Sequence, residues 1–238
     1  MNRKSKIIII PAYNEEDNIS NVIRDIISIQ QDIDILVVDD GSDDNTCKAA
    51  RSTGAEVIRL PFNMGYGAAL QTGFKYAIKN DYDYAVQIDG DGQHDPKFIP
   101  SLLNAVETGD TDVAIGSRYL KGGYRSTLPR MIGILIFGTI ASLIIRQKVT
   151  DPTSGFQALN KESIRFYASE YYPVDYPDAD VIIMLHRAGF RIKELPVVMH
   201  EKVYNKKTMH SGIKPLYYIF KMLLSISVTL LRKIPYKR

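Results

Sequence analysis

Two aspartates stand two residues apart at the end of an apolar run, in the sequence QIDGDGQ at residues 87–93. If this stretch is extended, Asp89 and Asp91 point to the same side, because side chains alternate along a strand. Mg²⁺ and Mn²⁺ prefer carboxylate, carbonyl and water oxygens and often take substrate phosphate as a further ligand. Asp89, Asp91 and Gln93 are therefore candidate metal ligands, and Gly90 leaves room for a ligand to approach. The same residue types also form ordinary surface turns.

The elements around this motif predict where it lies. Short apolar runs alternate with helical patterns, which indicates parallel β-α-β units in a three-layer α/β sandwich with a mostly parallel sheet. We predict strands at residues 6–11, 33–39, 56–60, 84–89 and 113–116, and helices at 15–29, 44–53, 65–80 and 97–108. Asn14 is the predicted N-cap of the first helix. Ligands of such sheets bind at the carboxyl ends of the strands, and Asp39, Asp89 and Arg118 all fall there.

The bulk composition is that of one globular domain with a small appendage. The chain has 238 residues, 45% of them apolar and 24% charged, which is enough apolar material for a sizeable core. The single cysteine, Cys47, excludes an internal disulfide framework and fits a reducing compartment. The apolar run at residues 7–10 is too short for the core of a signal peptide.

Basic and apolar residues are concentrated toward the C-terminus. Residues 201–238 carry nine Lys and Arg and one acid, whereas the rest of the chain carries 21 basic and 26 acidic residues. A basic tail on an acidic body indicates an anionic partner surface. Residues 131–145 form an apolar segment shorter than the about 20 residues that a membrane span needs. Residues 213–234 are apolar but interrupted by Lys214 and Lys221. We predict an interfacial amphipathic helix there, with a spanning helix or a helix packed on the core as alternatives.

Five segments occur in a fixed order: PAYNE at 11–15, VDDGS at 38–42, DGDGQ at 89–93, GSRY at 116–119 and DPTSGF at 151–156. In this order and spacing the chain resembles the family 2 inverting glycosyltransferases of the GT-A fold. Within them it is most similar to the dolichyl- or polyprenyl-phosphate sugar synthases. The resemblance implies a GT-A glycosyltransferase domain at residues 1–210, followed by a basic amphipathic, membrane-associating helix at 211–238.

The resemblance assigns the donor nucleotide to the first segments. Pro11, Tyr13 and Glu15 match the part that lines the base and ribose, and the Tyr13 ring can stack on a pyrimidine. Its alternative place is under the first helix. Asp39 would accept a hydrogen bond from the imide N–H of uracil or thymine, with helix capping as the alternative. Gly65 belongs to a Gly-rich turn that can approach phosphate through backbone N–H groups.

The same resemblance places the reacting phosphates at the acidic motif. Asp89, Gly90 and Asp91 would contact the nucleotide-sugar, and Asp89, Asp91 and Gln93 would hold Mg²⁺ or Mn²⁺ between the two phosphates. Asp91 is also a catalytic candidate, because the metal neutralises the charge of the departing nucleotide. An inverting transfer needs no protein nucleophile.

The nature of the acceptor depends on residues beyond 118. A phosphate acceptor is already ionised and needs cations, for which Arg118, Arg125 and Arg130 are placed in the resemblance. A hydroxyl acceptor needs a general base instead.

Three acids are the candidate bases or acceptor-positioning residues: Asp151, Asp178 and Asp180. Asp151 opens the DPTSGF segment, and the other two stand where relatives carry an acidic pair ahead of an apolar helix. First-turn helix charges are an alternative reading of that pair. Where many relatives carry a Gly-Lys-Ser or Gly-Gly-x-Ser turn, residues 204–211 read YNKKTMHS. Lys206, Lys207 and His210 are the candidate substitutes there.

The sequence therefore predicts a metal-dependent inverting hexosyl- or N-acetylhexosaminyl-transferase that is peripheral on the cytoplasmic side of the cell membrane. It would move a sugar from a UDP-sugar, or a GDP- or dTDP-sugar, to a polyprenyl phosphate in cell-wall polysaccharide biosynthesis. Many similar synthases continue into transmembrane helices, so a small membrane protein partner is expected, and nucleic acid is not.

Three other functions were weighed against this one. The nearest is transfer to a hydroxyl acceptor in surface polysaccharide or lipid-linked oligosaccharide synthesis. A sugar nucleotidyltransferase is disfavoured because it needs a Gly-rich basic loop where PAYNE stands. A non-enzymatic nucleotide-binding scaffold is disfavoured by the intact Asp89 and Asp91.

Overall fold

The computed structural model describes residues 5–30, 32–121, 128–173, 177–200, 214–234 and 236. Its strands are β1 Lys6–Ala12, β2 Asp34–Asp39, β3 Glu56–Arg59, β4 Tyr84–Gln87, β5 Val113–Ser117, β6 Gln157–Asn160 and β7 Ile192–Pro196. Its helices are α1 Ile19–Ile29, α2 Thr46–Arg51, α3 Tyr66–Lys79, α4 Ile99–Glu107, α5 Leu128–Ile145, α6 Lys161–Ala168, α7 Ala179–Arg187 and α8 Lys214–Leu231. A short 3₁₀ helix, Pro96–Phe98, precedes α4.

The strands form one sheet in the order β3-β2-β1-β4-β6-β5-β7. Strand β6 is antiparallel to both β4 and β5, and the other neighbours run parallel. The predicted mostly parallel α/β sheet is confirmed. Because β6 runs backwards, the residues that precede it reach the edge at which the parallel strands end.

Side chains of successive strand residues enter two separate cores, as the alternation of a strand requires. Ile7 and Ile9 lie in a core with α3, α5, α6, α7 and α8, whereas Ile8 and Ile10 lie in a core with α1 and α4. Helices therefore cover both faces of the sheet, which is the predicted three-layer arrangement. Two fully apolar faces explain why β1 reads as a continuous run of isoleucines.

Two predicted element boundaries near the carboxyl edge of the sheet are wrong, the start of α1 and the end of β4. Helix α1 begins at Ile19, and Asn14 does not cap it. Asn14 has φ +54°, and its N–H donates to Ser42 Oγ at 2.9 Å. The loop between β2 and α2 therefore holds this segment outside the helix. Strand β4 ends at Gln87, so the acidic motif lies in a turn in which Gly92 has φ +76°. The pair of aspartates therefore does not obey strand alternation.

Helix α8 has one packed face and one exposed face. Met222 and Ile226 are buried in the core beside α7, whereas Leu224, Val228 and Leu231 are exposed. Both the core-packed alternative and the predicted amphipathic character thus describe part of this helix. Within the described part of the chain, no helix has the length and apolarity that crossing a membrane requires.

Candidate active site

Asp39 lies at the carboxyl end of β2 and is fully buried. Its Oδ1 accepts a hydrogen bond from the Ser42 N–H at 3.0 Å. Its Oδ2 lies 3.4 Å from Arg59 Nε but receives no hydrogen bond from the described residues. Buried acceptors are nearly always satisfied in folded proteins, so this oxygen has capacity for a donor on a ligand.

The Asp40 side chain binds the loop that precedes α3 and does not cap a helix. Its two carboxylate oxygens accept from the N–H groups of Met64 at 2.7 Å and Gly65 at 2.9 Å. The loop also crosses close to Gly41, where an added Cβ would lie 2.5 Å from the carbonyl carbon of Phe62. Asp40 thus engages the Gly65 N–H in this structure, and the role of that N–H toward phosphate stays a prediction.

The PAYNE segment leaves β1 and turns outward at the same edge. Pro11 is buried in the strand, whereas Tyr13 directly after it is 41% exposed. The alternative that the Tyr13 ring packs under the first helix is therefore wrong. Glu15 is held by the start of α2, because its N–H donates to Thr46 Oγ1 at 2.7 Å.

The acidic turn presents oxygen atoms at the end of β4. The Asp89 side chain is 30% exposed, and Asp91 Oδ1 accepts from the Gln93 N–H at 3.1 Å. The Gln93 side-chain amide donates to the His200 carbonyl at 3.4 Å, which leaves its amide oxygen as the atom suited to a cation. Two carboxylates and an amide oxygen on one turn fit a hard divalent ion, with room for phosphate ligands. The described residues hold no cluster of three His, Cys, Asp or Glu side chains that could bind a metal.

Two residues that sequence reasoning gave no role contact Asp89. The Tyr66 hydroxyl donates to Asp89 Oδ1 at 2.7 Å. Burial, reinforced by the Asp89 charge, raises the pKa of Tyr66 well above its usual value, so the hydroxyl stays protonated. His94 Nδ1 accepts from the Asp89 N–H at 3.2 Å, and burial lowers the pKa of His94, so its proton sits on Nε2. Tyr66 directly follows Gly65 and His94 directly follows Gln93, but nothing in their spacing signals these contacts.

Arg118 and Asp151 form a buried ion pair. Arg118 Nε lies 2.6 Å from Asp151 Oδ2 and Nη2 lies 2.5 Å from Oδ1, with side chains only 1% and 0% exposed. Asp151 Oδ2 also accepts from the Arg118 N–H at 3.0 Å. Each of these two groups is therefore buried and engaged by the other in this structure. The roles expected for Arg118 on an acceptor phosphate and for Asp151 as a base stay predictions.

Asp178 and Asp180 stand at the start of α7. Asp180 is buried, and its Oδ2 accepts from Ser225 of α8 at 2.5 Å. Its Oδ1 accepts from the N–H groups of Asp178 at 3.0 Å and Val181 at 2.9 Å. Burial raises the pKa of Asp180, while these hydrogen bonds oppose the rise. Asp180 thus lies in the first helical turn, as the alternative reading had it, and links α7 to α8.

Several predicted contacts fall outside the described residues. Arg125 lies in the gap at 122–127, and Lys206, Lys207 and His210 lie in the gap at 201–213. Arg130 belongs to the first turn of α5, but its side chain is outside what the structure describes.

A mostly parallel sheet with buried aspartates and an acidic turn at its carboxyl edge is typical of nucleotide-binding α/β enzymes. The model of glycosyl transferase family 2 matches residues 7–167. The chain therefore belongs to glycosyl transferase family 2, as the sequence motifs predicted.

Relatives and solved structures agree with this assignment. The chain is 30% identical over 215 residues to the undecaprenyl-phosphate mannosyltransferase of Micrococcus luteus, covering 86% of this chain and 87% of that protein. It is 39% identical over 170 residues to the dolichol-phosphate mannosyltransferase of Pyrococcus furiosus, covering 66% of this chain and 46% of that protein.

Among solved structures, the fold is similar to glucosyl-3-phosphoglycerate synthase from Mycobacterium tuberculosis, crystallised with Mn²⁺, uridine-diphosphate-glucose and phosphoglyceric acid. The TM-score is 0.68 at 25% identity, over 94% of this chain and 80% of that one. This likeness confirms the predicted GT-A fold.

Proposed function

We propose that this protein transfers a sugar, with inversion, from a nucleotide-sugar to a polyprenyl phosphate, using Mg²⁺ or Mn²⁺. The observation that carries the proposal is the acidic turn Asp89–Gln93, which follows β4 at the same sheet edge as the buried Asp39 carboxylate. The Asp39 carboxylate suits a base with an imide N–H, and the acidic turn suits a metal-bound diphosphate. Together they suit the two ends of a nucleoside diphosphate.

The donor is a UDP-sugar in this proposal. The unsatisfied Oδ2 of Asp39 would accept from the uracil imide N–H, and the exposed Tyr13 ring would stack on the base. Thymine also carries an imide N–H and guanine carries a ring N1–H donor, so GDP- and dTDP-sugars are the competing donors. Which sugar is transferred is decided by pocket shape, and hexose and N-acetylhexosamine donors belong in the same assay.

Asp89, Asp91 and Gln93 would hold the divalent ion, which when bound neutralises the charge that develops on the leaving diphosphate. The chain's own part is to orient these ligands and to hold the donor by its base. A phosphate acceptor arrives ionised and can attack the anomeric carbon without a general base. The engagement of Asp151 and Asp180 in buried contacts supports an acceptor of this kind.

The names of two relatives support the proposed acceptor. The Micrococcus and Pyrococcus relatives are named for transfer to undecaprenyl phosphate and dolichol phosphate. With Arg118 engaged by Asp151, Arg125 and Arg130 are the acceptor cations that we propose, and Asp178 is the acid best placed to orient the acceptor.

A lipid acceptor calls for a membrane-facing surface. Exposed apolar residues lie on α5 and on α8: Ile132, Leu135, Leu143, Phe220, Leu224, Val228 and Leu231. Residues 201–238 add an excess of basic charge. We propose that α5 and α8 rest on the cytoplasmic face of the cell membrane, where a small membrane protein can join them, and that the product serves cell-wall polysaccharide biosynthesis.

The test is incubation of the protein with membranes and radiolabelled UDP-, GDP- and dTDP-sugars, with Mn²⁺ or with EDTA. The expected result is label in the organic phase that mild acid releases and that EDTA or Asp91→Asn abolishes. Release of nucleotide with sugar on a hydroxyl, and none on lipid phosphate, would overturn the acceptor assignment.

A further inference from the structure

The two carboxylate oxygens of Asp89 have different surroundings. Oδ1 accepts the hydrogen bond of the Tyr66 hydroxyl at 2.7 Å, since a carboxylate can only accept. Oδ2 lies 3.8 Å from His94 Nδ1, which is itself an acceptor toward the Asp89 N–H. Within the described part of the chain, only Oδ1 therefore has a donor directed at it.

Tyr66 is held in place from both ends. It is the first residue of α3 and follows Gly65, which has φ +101° and whose N–H is bound by Asp40. At the other end, the Tyr66 hydroxyl accepts from Gln87 Nε2, on β4, at 3.1 Å. The backbone and the hydroxyl of Tyr66 are thus both fixed to the sheet before any ligand arrives.

Gly155 closes the remaining side of the Asp89 carboxylate. A Cβ at this position would lie 2.6 Å from the Tyr66 hydroxyl and 3.1 and 3.2 Å from the two Asp89 oxygens. Its neighbour Phe156 stacks on the His94 ring at a centroid distance of 5.0 Å. The segment that enters β6 therefore passes so close to the hydrogen-bonded pair that only a residue without a side chain fits at position 155.

We propose that Tyr66 is a positioning residue that occupies Oδ1 of Asp89 and so presents Oδ2 alone to the divalent ion. The inference rests on the proposed metal-dependent function and names what sets the geometry of its ligand. One-oxygen binding suits Mg²⁺ and Mn²⁺, which use few carboxylate oxygens beside phosphate and water. Hydrogen bonds to ligating carboxylates are commonly worth about 10- to 100-fold in metal affinity or activity.

The test is Tyr66→Phe, which removes one hydroxyl and keeps the ring. Tyr82→Phe is a matched control, because the Tyr82 hydroxyl also donates to an aspartate, Asp34, at 2.7 Å. Asp34 begins β2, so this contact lies at the sheet edge opposite to the acidic turn. Mn²⁺ binding in the presence of UDP is followed by the loss of the free-Mn²⁺ electron paramagnetic resonance signal. UDP binding without metal and the melting temperature are measured beside it.

We expect Tyr66→Phe to weaken Mn²⁺ binding about 10-fold or more, with UDP binding without metal unchanged, and Tyr82→Phe to leave both unchanged. Gly155→Ala, which displaces the same carboxylate from the other side, should give a similar loss. Wild-type Mn²⁺ affinity in a folded Tyr66→Phe protein would overturn the inference while leaving the proposed function intact. A wild-type protein that binds no Mn²⁺ with UDP would overturn the metal site and this inference together.

Discussion

Carboxylates at the two halves of the sheet edge differ in what holds them. In the half built by β1 to β4, Asp40 is held by backbone N–H groups and Asp89 by a tyrosine hydroxyl. In the half built by β5 to β7, Asp151 is held by the guanidinium of Arg118. Neutral donors orient a carboxylate without cancelling its charge, whereas a buried cation cancels it. Asp89 can therefore still attract a metal ion, whereas Asp151 is cross-linked to Arg118.

The two faces of the sheet also differ in how far their helices bury apolar side chains. The exposed residues of α5 and α8 include Leu143 and Leu231, which are 75% and 87% exposed. Helix α1, on the other face, buries its stripe and leaves Ile27 and Ile29 at about 40% exposure. An apolar stripe that none of the described residues covers, together with a basic tail, is the arrangement expected of an interfacial helix.

The largest expected effect is in the acidic turn. Asp91→Asn keeps the shape of the turn but removes a charge that the metal needs, so we expect turnover to fall by about three orders of magnitude. The matched change Asp95→Asn affects an aspartate that caps the 3₁₀ helix instead. Turnover with labelled donor should distinguish the two, and equal losses would contradict a special role of Asp91.

Breaking the buried ion pair should cost stability rather than ligand binding. Arg118→Met leaves the Asp151 carboxylate buried without its cation, so we expect a loss of about 3–5 kcal/mol in the free energy of unfolding. Arg165→Met, which breaks the exposed pair with Glu162, should change little. Chemical denaturation measures both, and Arg118→Met with Asp151→Leu should recover part of the loss. A stable Arg118→Met protein with weakened acceptor binding would support the acceptor-phosphate role.

A smaller effect is expected at the base. Tyr13→Ala should weaken UDP binding by about 1–3 kcal/mol, roughly 5- to 150-fold in Kd, because a stacking face is lost. Tyr13→Phe keeps the ring and should bind UDP nearly as wild type does. Calorimetric titration without acceptor is the measurement, and unchanged binding by Tyr13→Ala would remove stacking from the donor site.

The apolar contrast predicts a difference in lipid binding. Leu224→Glu on α8 should lower binding to vesicles containing anionic lipid several-fold, because it puts a charge on the stripe that we propose to face the membrane. Ile27→Glu on α1 is the control, with similar exposure on the other face of the sheet. Vesicle flotation compares the two proteins, and an equal reduction by both would argue against a specific docking face.

The smallest effect is the pH dependence of stability from Asp180. Burial raises the native pKa of this carboxyl, so the native state binds the proton more tightly than the unfolded chain. Its contribution to the free energy of unfolding therefore falls as the pH rises from about 4, the ordinary Asp value, through the raised native pKa. Asp180→Asn should lack this decline. Denaturation midpoints at a series of pH values test it, and parallel wild-type and variant curves would contradict it.

The strands and helices in the first half of the fold could be predicted, because the sequence patterns that define them are local. Strands β1 and β2 contain apolar runs rich in Ile and Val, and the four predicted boundaries of these two strands lie within one residue of the structure. Strand β6 was not predicted, because QALN has four residues and no apolar period. Asn14 is a residue type that favours helix caps, yet its contacts with Ser42 and Asp43 decide its backbone conformation.

The site divides in the same way. Aspartates after strands were correctly expected at the carboxyl edge, since parallel strands deliver their ends together. The partners of those groups were not predictable, because Tyr66 meets Asp89 across 23 residues and Arg118 meets Asp151 across 33. The second contact depends on the reversed direction of β6, which brings Asp151 to the edge before its strand rather than after it.

Strand β5 finds no partner among the strands that precede it in the chain. Its neighbours are β6 and β7, both made later, whereas β1 to β4 pair among themselves. A nascent chain that ends before residue 157 therefore holds Val113–Ser117 with two unpaired edges, which is a state prone to wrong pairing. The insertion of β6 covers one of these edges, and the same event brings Gly155 against Asp89 and Asp151 against Arg118. During synthesis, one four-residue strand therefore both shields an edge of β5 and completes these contacts at the carboxyl edge of the sheet.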